Sequence, residues 1–136
     1  IDVDLLMSRH DYFGKELCKS LNIEYRNDVP FIDIILDIRP DVDPLTIDAP
    51  HITPDNYLYI NNILYIIDYK VSVSNESSII TNTKYYELTR DISDKLNLYI
   101  EIVIIRIDPI TRELYISSDR FKDMYPTLVV DINFNQ

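Results

Sequence analysis

Asp55, Asp68 and Lys70 stand in the most apolar stretch of a 136-residue chain, "PDNYLYINNILYIIDYKV", from Pro54 to Val71. Two runs rich in tyrosine and isoleucine flank Asn61-Asn62, whose tolerance of positive φ suits a two-residue hairpin turn. With the turn there, Ile60 faces Ile63, Tyr57 faces Ile66 and Asn56 faces Ile67, so Asp55 lands opposite Asp68. Cross-strand neighbours have Cβ atoms ~4.5–5.5 Å apart, and like charges placed so destabilise a sheet. A cation between the two carboxylates turns that repulsion into attraction. Alternation sets Ile63, Tyr65, Ile67, Tyr69, Val71 and Val73 on one face and Leu64, Ile66, Asp68, Lys70 and Ser72 on the other. Lys70 therefore points the same way as Asp68, roughly 6.5–7 Å along the strand.

Paired carboxylates suit a divalent magnesium or manganese ion. Such an ion polarises a phosphate and acidifies a bound water, and a second ion stabilises the leaving oxygen. A lysine beside them can orient the water or neutralise developing charge. The chemistry that fits is metal-assisted phosphodiester hydrolysis. The plainer alternative is a partly exposed Asp68–Lys70 pair on a wet face, with Asp55 a turn residue after Pro54.

Composition narrows the classes. The single glycine, Gly14, excludes phosphate-cradling P-loops and dinucleotide fingerprints, which need several glycines at fixed spacing. The single cysteine, Cys18, excludes an internal disulfide framework and a Cys-cluster zinc site, and fits a reducing, cytosolic setting. A net charge of -10 argues against a general nucleic-acid coat, but not against an enzyme gripping nucleic acid through bound metal. No apolar run approaches the ~20 residues needed to span a bilayer. The start at Ile1 and the stop after "DINFNQ" read as a piece of a longer polypeptide.

The elements that must position these residues follow from periodicity. Residues 4–21 predict an amphipathic helix with Leu6, His10, Phe13 and Leu17 on one face. Asn27 or Asp28 predicts the cap of a short helix with Pro30 in its first turn and Ile32, Ile35 and Leu36 inward. Residues 39–55, with four prolines, read as a loop. A helix over 76–96 follows the hairpin, with Ile80, Tyr85, Leu88, Ile92 and Leu96 on or near its inner face. "YIEIVIIRI" reads as a buried strand, "DPIT" as a turn, "ELYIS" as a strand, "DRFKDMY" as one helical turn and "TLVVDINF" as a last strand. The expected fold is a single α/β domain with a mixed central sheet, helical part and loop in 1–53 and a sheet-rich core in 54–136.

Pro54-Asp55, then Asp68-Tyr69-Lys70, resembles the P-D…D-x-K pattern of the PD-(D/E)xK nuclease superfamily. The wider stretches "RHDYFGKELC", "NDVPFIDIILD", "HITPDNYLYI" and "YIIDYKVSVSNESS" are similar to the N-terminal endonuclease domain of orthobunyavirus L proteins, most of all those of the California serogroup. The influenza polymerase acidic subunit is a more distant likeness. The resemblance runs from Ile1 to Gln136 and implies a nuclease-like mixed sheet with an N-terminal helical lobe. It implies two manganese ions, preferred over magnesium. One would be held by His10, Asp55, Asp68 and the Tyr69 carbonyl, the other by Asp28 and Asp55, with Lys70 catalytic. It also implies cap-snatching, in which capped host mRNA, taken as a single strand, is cut to prime viral transcription. The implied partners are that RNA and the remainder of the polymerase in the same chain. The isolated domain is expected to be a monomer, working in the host cytoplasm and carried in the virion.

Each residue also has a plainer reading. A histidine on an apolar helix stripe is usually a satisfied core residue, so His10 is a ligand on the strength of the resemblance. Asp28 is otherwise a helix cap. Lys84 matches a region where the family has a further lysine that helps position RNA, against a solvated helix lysine. His51 reads as surface, Cys18 as a small buried residue, and Asp37, Asp41, Asp43 and Asp48 as a solvated acidic loop. Two competing functions are a non-catalytic, metal-stabilised docking module of a polymerase and a restriction-like DNA nuclease, the latter disfavoured by the acidic surface.

Overall fold

The computed structural model describes residues 3–134. Helix α1 (Val3–Leu21) leads to α2 (Phe31–Ile38), and the loop that follows holds only a 3-10 turn at Pro44–Thr46. Strands β1 (Asn56–Ile60) and β2 (Ile63–Val71) form the hairpin, and α3 (Glu76–Leu96) carries the chain to β3 (Tyr99–Ile107). Strand β4 (Leu114–Ile116) and helix α4 (Asp119–Met124) complete the elements. The sheet order is β1-β2-β3-β4, with β2 and β3 parallel and the outer pairs antiparallel. This is the expected mixed α/β architecture.

The hairpin has the register read from its turn. Asn61 and Asn62 both take positive φ, 54° and 63°, and Asn56 pairs with Ile67, Tyr57 with Ile66 and Ile60 with Ile63. Asparagine adopts that left-handed region more readily than other non-glycine residues, so the turn is made without a glycine.

Both faces of the sheet are covered, which explains why β2 and β3 read as continuous apolar runs. On one face Phe13, Leu17, Cys18 and Leu21 of α1 pack on Tyr65, Ile67, Tyr69, Val103 and Ile105, with Phe121 of α4. On the other, Phe31, Ile34 and Ile35 of α2 and Tyr85 and Ile92 of α3 pack on Leu64, Ile66, Ile102 and Ile104. Burying side chains of this size stabilises by ~1.5–3 kcal/mol each. The face allowed for Asp68 and Lys70 is a cavity wall and not open surface: Asp68 is 7% exposed and Lys70 half-buried.

Several expectations need correction. Leu6 is exposed, because the buried apolar stripe of α1 begins at Phe13. Neither Asn27 nor Asp28 caps α2, which starts after Pro30 without a side-chain cap. Its buried residues are Phe31, Ile34 and Ile35, with Ile32 and Leu36 half-buried. On α3 the buried stripe is Tyr85, Thr89 and Ile92, whereas Ile80 and Leu88 are exposed. Val73 lies beyond β2 and is exposed. The segment "TLVVDINF" is not a strand. Its alternation is real, for Val130, Ile132 and Phe134 are buried in the α1-side core while Val129 is exposed. Period-two burial places a segment on a core without supplying a strand for it to pair with.

Candidate metal centre

The hairpin's open end is closed by side chains. The ladder stops at Asn56–Ile67. One step further the Asp55 N–H donates to Asp68 Oδ1 at 2.9 Å, and the Tyr69 N–H donates to Asp55 Oδ2 at 2.8 Å. The Asp55 carboxylate thus takes the Tyr69 N–H that a continued ladder would have given to the Pro54 carbonyl. Both aspartates are buried, at 5% and 7% exposure. Buried carboxylates are costly unless paired or coordinated.

His10 reaches this pair from α1. Its Nε2 lies 3.1 Å from Asp55 Oδ2, and its Nδ1 lies 3.1 Å from Asp11 Oδ1. Carboxylates at both ring nitrogens favour the imidazolium. The Asp55 hydrogen bond pushes the His10 pKa up to about 9, against burial, which lowers it. Asp68 is pushed up to about 7, first by burial and then by the charge of Asp55. Lys70 Nζ stands 3.9 Å from Asp68 Oδ2, and the Tyr85 hydroxyl donates to the same oxygen at 3.4 Å. Burial and the charge of Asp68 hold the Tyr85 hydroxyl protonated well above its usual range.

Asp28 arrives by a different route. It takes positive φ, 54°, and the next residue is tied to the loop before β1, Val29 N–H donating to Pro54 O at 2.7 Å. That bond holds the Asp28 segment to the loop before β1, and Asp28 lines the same cavity as Asp55. Asp28 is exposed, and its charge adds the smallest contribution to the hydroxyl pKa values of Tyr25 and Tyr85, which burial raises first. His10, Asp28, Asp55, Asp68, Tyr69 and Lys70 all line one cavity of about 780 Å³. Lys84 does not; it is exposed on α3, next to Tyr85, which does line it.

Among the described residues, no three His, Cys, Asp or Glu side chains converge on a common point as ligands of one ion do. The imidazole and carboxylates are bonded to one another and to backbone N–H groups instead. Their chemistry still fits a divalent cation. Imidazole with carboxylate oxygens suits manganese better than calcium, and two buried carboxylates in one cavity need positive charge. The cavity's side chains whose donor atoms suit such an ion are those of His10, Asp28, Asp55 and Asp68.

Three contributors escaped the sequence reading. Asp11 orients His10, although neighbours in a helix do not ordinarily face each other. Tyr85 was assigned only to the core, and its hydroxyl serves the site. Gly14, which in the sequence serves only to exclude glycine-rich phosphate loops, has a structural role. A Cβ there would lie 2.7 Å from the ring of Tyr69, so glycine lets α1 approach β2 at the level of the site. The Tyr69 ring is fixed by its hydroxyl, which donates to Arg26 O at 3.0 Å and accepts from Asn56 Nδ2 at 2.9 Å.

The chain is thus a mixed sheet covered on both faces, with acidic residues and a histidine gathered at the open end of the β1–β2 hairpin. The chain belongs to the L protein N-terminus family, whose pattern matches residues 1–136. It is 86% identical over 136 residues to the RNA-directed RNA polymerase L of Bunyavirus La Crosse and 45% identical over 136 residues to that of Bunyamwera virus. Both matches take in 100% of this chain and 6% of the polymerase, so the chain spans a small part of these relatives. A solved N-terminal domain of a reptarenavirus L protein has a similar fold, with a TM-score of 0.58 at 15% identity over 75% of this chain and 52% of that one.

Proposed function

We propose that this domain is a metal-dependent endonuclease that hydrolyses RNA phosphodiester bonds, cutting capped host mRNA to prime viral transcription. The observation that carries the reading is the buried pair Asp55 and Asp68, with His10 3.1 Å from one and Lys70 3.9 Å from the other, in a single cavity. Membership of a family of viral polymerase N-termini agrees with it.

In this reading His10, Asp55, Asp68 and the Tyr69 carbonyl would hold one manganese ion, and Asp28 with Asp55 would hold a second. When bound, such ions polarise the scissile phosphate and acidify the attacking water. The chain does the rest. Asp68 and His10 must each shed a proton before they can donate a lone pair. The N–H groups of Asp55 and Tyr69 fix the two carboxylates. Lys70, with its side chain 21% exposed, can turn its ammonium from Asp68 to a phosphate oxygen and offset the charge that develops there. Asp11 holds the imidazole so that Nε2, not Nδ1, faces Asp55.

A second reading has its own support. The donors already satisfy one another by hydrogen bonds, as they would in a non-catalytic module that metal merely stabilises. Incubation of capped single-stranded RNA with manganese, with magnesium and with a chelator separates the two, with duplex DNA of matching sequence as a control. The nuclease reading expects RNA cleavage in manganese, none in chelator and intact duplex DNA. A raised Tm in manganese with uncut RNA under every ion would leave the second reading standing instead.

A further inference from the structure

A second cavity, of about 280 Å³, lies between the first turns of α3 and the β3–β4 edge. Arg106 of β3 lines it, 8% exposed, in a chain of net charge -10. Its Nη1 donates to Ser72 O at 2.9 Å, and its guanidinium lies 4.1 Å from the Tyr115 ring centroid. Among the described residues no carboxylate comes within ion-pair distance of it, and no Asp or Glu lines the cavity. A buried cation without a counter-charge is costly. The guanidinium carries five N–H donors, of which one is bonded here.

The rest of the wall is neutral and mostly apolar, with several side-chain donors set into it. Ser78 Oγ is buried and has no hydrogen-bond partner among the described residues. Asn75 and Asn82 also line the cavity. Asn75 is the N-cap of the 21-residue α3 and makes no side-chain cap bond, so the positive end of that helix faces the same space. Isoleucines 79, 104 and 116 supply the apolar part. The volume is just under the ~300–1,000 Å³ of ordinary ligand sites, which suits a small anion or a group little larger than a nucleotide.

We propose that this cavity is a phosphate-binding site, separate from the acidic one. Arg106 takes the phosphoryl oxygens through its planar fork, and Ser78, Asn75 and Asn82 complete the donor set. Tyr115, stacked on Arg106 and 43% exposed, offers ring surface to an attached base. Arg106 pairs in register with Lys70, so the two sites are on adjacent strands, divided by the Ser72 backbone. The phosphate can come from free phosphate, a mononucleotide or an RNA strand. The inference rests on this cavity alone and stands or falls independently of the nuclease reading.

The test is an NMR titration without divalent ions, using inorganic phosphate, adenosine monophosphate and a short single-stranded RNA. Saturable shifts at Ser78, Asn82 and the Arg106 side chain are expected. Ser78→Asp puts a negative charge into the cavity at a position in the first helical turn where Asp is favoured, so folding is kept. It should weaken binding about tenfold or more. Arg106→Lys keeps the charge but not the fork and should also weaken it. Response to phosphate alone supports the site with free phosphate as its ligand, and response to all three supports a nucleotide source. Shifts spread over other basic residues, or binding unchanged by both substitutions, overturn the proposal.

Discussion

Asp55 and Asp68 hold each other through backbone: Asp55 gives its N–H to the Asp68 carboxylate at 2.9 Å and receives the N–H of Tyr69, the residue after Asp68, at 2.8 Å. The two acids are thus clamped at the open end of the hairpin before any cation is considered. Their charges press on each other, and His10 and Lys70 offset part of that pressure from opposite sides.

Removing the Asp55 charge should release both neighbours. In Asp55→Asn the pKa of His10 falls from about 9 toward 6.5, because Asp55 is the largest cause of its elevation. Asp68 falls from about 7 only part of the way, since burial remains its first cause. NMR titration of the His10 ring and the Asp68 carboxyl carbon reads both, and a His10 value still near 9 would show that Asp55 does not govern it.

The pH dependence has a definite sign. Both pKa values are raised by folding, so both groups contribute stability at low pH and lose it as pH rises. The Asp68 contribution is full below its ordinary value of 3.8 and is lost through about 7. The His10 contribution is full below 6.5 and is lost through about 9. Manganese competes with the same protons, so its affinity rises over the same range. Thermal melts should therefore show a growing manganese-induced rise in Tm from pH 6 to about 9. A rise that is flat across that range would remove His10 and Asp68 from the ligand set.

Gly14→Ala should destabilise. At an ordinary helix site that change gains up to ~1 kcal/mol. Here the new Cβ meets the Tyr69 ring at 2.7 Å, and the ring is locked in a buried hydrogen-bond network. A net loss of about 1–2 kcal/mol is expected, as for overpacked cores. Because Tyr69 lies between Asp68 and Lys70, manganese affinity should fall as well. A higher Tm would mean that α1 has room to retreat.

The hairpin was legible in the sequence because one local signal, Asn61-Asn62, fixes its register, and the register alone brings Asp55 to Asp68. The third and fourth acidic-site residues were not. His10 and Asp28 come from α1 and from a left-handed bend before α2, and no short-range pattern measures their distance from the hairpin. They were reached by resemblance. The alternation in "TLVVDINF" reads as a strand and is none: it puts Val130, Ile132 and Phe134 into the core, and burial on one face does not create a free sheet edge. On α3 the apolar residues Ile80 and Leu88 suggested a wider inner face than the sheet covers, and Thr89, bonded to Tyr85 O at 2.8 Å, takes an inward place.

The most direct measurement is single-stranded RNA cleavage by Lys70→Ala, set beside its manganese isotherm. Lys70 touches Asp68 from the cavity but is no metal ligand in this account. Manganese binding within a few-fold of the unaltered protein, with cleavage reduced by a hundredfold or more, is the predicted result, of the order expected when a charge-stabilising group is removed from an active site. Cleavage at the unaltered rate would contradict the catalytic role assigned to this cluster.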